Sequence, residues 1–107
     1  MLICYINMQN LEGLELTSLF RIGSYLVYFW SNENFEPVHV HIVKGKPTSN
    51  ATKVWLTESG GCIVANNSSR IPKYELNEML EVISAQHYMI CQEWKNHFKV
   101  SEIKFYC

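Results

Sequence analysis

Between Gly23 and Ala65 the chain alternates four short β-branched and aromatic runs with connections of four to seven residues. Parallel strands need crossovers of a dozen residues or more, so this spacing leaves an antiparallel meander as the natural topology. Ser24–Trp30 (SYLVYFW) has apolar residues on both of its faces and reads as an inner strand. Val38–Lys44 follows, entered from Pro37, which has no amide hydrogen to give to a ladder. Ala51–Thr57 is a third strand, with Lys53 and Trp55 facing opposite to Val54 and Leu56. Glu58-Ser59-Gly60-Gly61 supplies a hairpin turn, and Cys62–Ala65 a short fourth strand.

Beyond the polar stretch Asn66–Arg70 the period changes. Leu76, Leu80, Ile83, His87, Ile90, Trp94 and Phe98 recur every three or four residues. That stripe predicts one helix of about 25 residues, from near Pro72 to near Phe98, covering one face of the meander. The expected class is α+β, a four-stranded antiparallel meander packed by one long C-terminal helix. Met1–Met8 suits a short strand, and Leu11, Leu14, Leu16 and Leu19 a helical or extended lead-in. Val100–Tyr106 alternates weakly and suits an edge strand. No repeat or linker divides residues 1–107, which read as a single domain.

Charge excludes some functions. Nine basic and ten acidic residues give a net charge of −1, and the basic ones are scattered, which argues against a nucleic-acid binder. Every acidic side chain is Glu, so Asp-based metal clusters are ruled out. Cys4, Cys62, Cys91 and Cys107 form no C-x-x-C pair and show no local Cys–His pairing. Without a leader-like start or a long apolar run, a cytoplasmic protein with reduced thiols and no membrane association is expected.

The chemistry concentrates in Asn32–Ile42 (NENFEPVHVHI). His39 and His41 are two apart, so on a strand both imidazoles share a face and lie ~7 Å apart at the backbone. They can converge on a divalent transition metal, with Glu33, Glu36, His87 or His97 completing the set. Alternatively they are half-buried residues of a polar strand face. Three chemistries with similar spacing fit poorly. A cupin wants a Glu soon after the second His, but the next here is Glu58, sixteen positions past Ile42. Metallo-β-lactamase sites need an Asp, and histidine-triad hydrolases a third His where Val43 stands. His87, on the helix stripe, is either a third ligand or general base, or a core histidine bonded to a backbone carbonyl. His97, near the helix end, has a structural role by default. Trp55, Trp94 and Phe98 read as core.

Gly23, Tyr25–Trp30, Ser31-Asn32-Glu33, Glu36-Pro37, His39-Val40-His41, Ala51–Leu56, Glu75-Leu76 and Trp94–Phe98 occur in this order. Together they resemble the small bacterial family called domain of unknown function 4160, over a core of about residues 21–98. The resemblance implies small cytosolic prokaryotic proteins without an established activity. Such proteins are often encoded beside another short domain, which has suggested toxin–antitoxin-like pairs. It groups Glu33, Glu36, Pro37, His39, His41, Lys53, Trp55 and Trp94 without giving any of them a role. Two functions are expected from this. One is a toxin–antitoxin-like or accessory module that binds a small protein partner, with a homodimer as one form. The other is a hydrolase or nuclease in which His39 and His41 bind a metal or act as acid and base, assisted by Glu33 or Glu36.

Overall fold

The computed structural model describes residues 15–107. Five strands lie in sequence order in one antiparallel sheet: β1 (Leu16–Ile22), β2 (Tyr25–Trp30), β3 (His39–Lys44), β4 (Thr52–Leu56) and β5 (Cys62–Asn66). Two helices follow, α1 (Lys73–Ala85) and α2 (His87–Phe98). The class is the expected α+β with an antiparallel meander, corrected on two counts.

Among the described residues the sheet has five strands where four were expected, because Leu16 and Leu19 belong to a strand. A register shift between Ser18 and Phe20 explains why β1 does not alternate in sequence: Ser18 pairs with Tyr28 and Phe20 with Val27, leaving Leu19 as an extra residue. Leu19 and Phe20 are both fully buried, so the period of two is broken. Gly23, at φ +59, turns β1 into β2 in a backbone region that side chains other than glycine avoid. The expected strand over Met1–Met8 and the lead-in at Leu11 and Leu14 lie outside the described residues.

The expected single helix is two. Gln86, at φ −100 and ψ 12, interrupts it, and the following residue is tied to the sheet through its side chain, His87 Nε2 donating to the Thr57 carbonyl at 2.7 Å. One residue out of helical geometry leaves the apolar stripe in phase, so periodicity alone cannot see the break. Met79 and Ile83 from α1, and Ile90, Cys91 and Trp94 from α2, are buried along it. They pack on Val27, Phe29, Val40, Ile42, Val54 and Leu56, the residues of one sheet face.

The opposite face is also buried in part. Leu16, Leu26, Tyr28, Val43 and Ala51 form a second cluster there with Trp30 against it. The tail after α2 is not a strand, although its backbone is bound to the sheet. Val38 N–H donates to Lys104 O at 2.9 Å, and Glu58 N–H to Cys107 O at 2.8 Å.

Helix α2 ends at Lys99, which holds the left-handed conformation at φ 54 and ψ 45. A side chain there is strained and glycine is not. Lys99→Gly is therefore expected to stabilise the domain by about 0.5–1 kcal/mol, read as a higher urea midpoint. An unchanged or lower midpoint contradicts this cap.

Candidate functional site

Register places the site. His41 lies opposite Tyr28 on β2 and Lys53 on β4, and His39 opposite Trp55. Directly opposed residues of antiparallel strands share a face, so Tyr28, His39, His41, Lys53 and Trp55 all stand on the side away from Val40 and Ile42. The β2–β3 connection then folds back over this row. Its turns are fixed by Glu33 N–H donating to Trp30 O at 3.3 Å and Glu36 N–H to Glu33 O at 3.1 Å.

Glu33 is the centre. One carboxylate oxygen, Oε1, accepts the Trp30 amide at 2.7 Å. The other, Oε2, lies 2.8 Å from His41 Nε2 and 2.9 Å from His39 Nε2. The His41 contact is a hydrogen bond, whereas His39 Nε2 has no hydrogen-bond partner among the described residues despite its closeness. The two rings stand nearly perpendicular, 84° apart in plane with centroids 5.0 Å apart. His39 is fully buried, Glu33 nine-tenths buried, and His41 13% exposed along its side chain. His39 therefore differs from a half-buried residue on a polar face. Aromatic rings enclose it, with Trp55 at 5.5 Å and Trp94 at 5.4 Å between centroids.

Burial works against a charged Glu33, but the adjoining imidazoles of His39 and His41 outweigh it and hold the carboxyl at about 2. Burial, reinforced by the Glu33 charge, raises the pKa of the Tyr28 hydroxyl, which is fully buried and also without a partner.

The remaining candidates are placed elsewhere. Glu36 does not join the histidines; its carboxylate pairs with Lys53 Nζ, which also sits 4.3 Å over the Trp55 ring. Tyr106 stacks on Trp55 at 4.9 Å. His87 is not brought to the cluster. It is held by the Thr57 carbonyl and stacks on Phe105 with centroids 6.0 Å apart. His97 contacts Thr17 Oγ1 at 3.3 Å through Nδ1.

One expectation about the cysteines is corrected, because Cys91 does have a histidine neighbour. Its Sγ lies 3.8 Å from His87 Nδ1. The signal was their spacing of four, which puts both side chains on one helix face. Burial nevertheless pushes the Cys91 thiol up to about 11, against the pull of Lys95, so the reactive thiolate is disfavoured.

These elements define a small α+β domain with a Glu–His–His cluster between β3 and the β2–β3 connection. Residues 24–95 match the family described as Domain of unknown function (DUF4160), and the chain belongs to that family. No curated protein and no solved structure matches the chain. No helix among the described residues is long and apolar enough to cross a membrane.

A folded-state pKa below the ordinary 4.5 makes Glu33 a stabilising group above that pH, and its contribution disappears as pH falls towards 2. Glu33→Gln is expected to cost about 2–3 kcal/mol at neutral pH, in line with lost bonds to a charged group. Urea unfolding of both proteins from neutral pH down to pH 2 checks this, and the difference should shrink across the acid range. A difference that is absent at neutral pH, or that grows on acidification, contradicts it.

Proposed function

We propose that this protein is a toxin–antitoxin-like or accessory module that binds a protein partner through the β2–β3 connection. Phe35 carries the proposal. It is 86% exposed, and the glutamates that bracket it, Glu33 two residues before and Glu36 next after, are both anchored to the sheet. An apolar ring held in water by a fixed loop gives no stability to the monomer. In a complex it is an anchor whose ordering has already been met by the fold. Loops positioned by a rigid scaffold are the common place for recognition. The flanking asparagines, Asn32 and Asn34, give the anchor a polar rim.

The test is co-purification of the chain with proteins of its source cell, followed by calorimetry with the partner so found. Phe35→Ala is expected to weaken that partner by roughly tenfold or more, with the unfolding midpoint unchanged. An affinity that ignores Phe35→Ala removes the loop from the interface.

A hydrolase or nuclease using His41 is favoured by one observation, the His41 Nε2 hydrogen bond to an ionised Glu33 at 2.8 Å. A carboxylate oriented on an imidazole is the arrangement that supports general acid–base work. Wild-type turnover of chromogenic phosphodiesters and esters, abolished in His41→Ala, would establish it. An inactive wild type counts against it.

A further inference from the structure

His39 presents a buried ring nitrogen that has no hydrogen-bond partner among the described residues. Its Nδ1 lies 2.9 Å from the Pro37 carbonyl oxygen. A carbonyl only accepts, so Nδ1 carries the hydrogen and donates it. In neutral imidazole Nε2 is then a bare lone pair, and it faces Glu33 Oε2 at 2.9 Å. Two lone pairs at that distance repel, and His39 is fully buried. A cation between them turns the contact from unfavourable to favourable. Among the described residues Nε2 has no hydrogen-bond partner, and the buried Tyr28 hydroxyl has none either. A proton on Nε2 and a metal ion bridging to Glu33 are the two ways to supply the positive charge, and the test below separates them.

We propose that Glu33 Oε2, His39 Nε2 and His41 Nε2 bind one divalent transition-metal ion of the zinc class. One potential ligand atom from each of the three side chains lies within 4.8 Å of the others. Two imidazoles and a carboxylate suit zinc, nickel, cobalt or iron rather than magnesium or calcium. Around an ion with bonds of about 2.0–2.1 Å, ligand atoms stand about 3.3 Å apart. The oxygen–nitrogen contacts of 2.8 and 2.9 Å therefore open by a few tenths of an ångström to admit it.

The surrounding bonds are those of a supported site. Pro37 O fixes the His39 ring by taking its other N–H, the usual partner of a metal-bound histidine. Trp30 N–H occupies Glu33 Oε1, so the carboxylate binds through Oε2 alone. Solvent reaches His41 and Glu33 but not His39, so a fourth position for water lies on the His41–Glu33 side.

The experiment is calorimetric titration of untagged, chelator-treated chain with zinc and with cobalt(II), together with the cobalt absorption spectrum. One equivalent should bind. Glu33→Gln and His41→Ala should each weaken binding by more than the roughly 10–100-fold that follows loss of a supporting bond. His87→Ala and His97→Ala should leave it unchanged. Should the site variants fail to fold by circular dichroism, the wild-type cobalt spectrum decides, with nitrogen and oxygen ligation supporting the proposal. A wild type that binds neither ion overturns it. So does binding that survives in folded Glu33→Gln and His41→Ala, or that is lost in His87→Ala or His97→Ala. None of these outcomes depends on whether Phe35 contacts a partner.

Discussion

The carboxylate of Glu33 links the parts of this domain that sequence leaves far apart in character. Through Oε1 it holds the last residue of β2, and through Oε2 it meets both histidines of β3. A loop that would otherwise drift over the sheet becomes part of it. Burying a charge is costly without close partners, and the two imidazoles supply them. His39 can do so only with positive charge at Nε2, a proton or a metal ion, because its Nδ1–H is donated to the Pro37 carbonyl. With the proposed ion bound, cation, carboxylate and loop position become one condition.

The rest of the fold prepares that condition. β2 and β4 flank β3, so His39 and His41 face cross-strand neighbours on both sides, with Trp55 and Tyr28 closing on them. Helices α1 and α2 cover the Val40 and Ile42 face, Trp94 of α2 reaches the His39 ring, and Tyr106 of the tail stacks on Trp55. Glu36 repeats the anchoring at the far side of Phe35 by pairing with Lys53. That pair is weaker, because Glu36 is 41% exposed and water screens it. The site thus has an enclosed end at His39 and an open end at Phe35, which fits chemistry in the interior and recognition at the loop.

Much of this was legible in the sequence. The meander, the shared face of His39 and His41, and the opposite facing of Lys53–Trp55 and Val54–Leu56 all follow from the period of two. The region of family likeness was legible as well, since Ser31-Asn32-Glu33, Glu36-Pro37 and the paired histidines fall within the matched residues. What was not legible depended on departures from period or on contacts distant in sequence. The Leu19 bulge hid β1, and Gln86 broke the helix without shifting its stripe. Which acid meets the histidines was open among several residues. The backward fold of the 31–37 loop decides it, and no periodicity records that turn. The same loop separates Glu33 from Glu36, which sequence alone treats as equivalent.

The most direct measurement of this account is long-range proton–nitrogen correlation NMR of the histidine side chains in the metal-loaded protein. The account predicts that His39 carries its hydrogen on Nδ1 and has Nε2 bound to the ion. A His39 ring with hydrogen on Nε2 and a bare Nδ1 would contradict it, because the Pro37 bond and the cation at Glu33 would then both be absent.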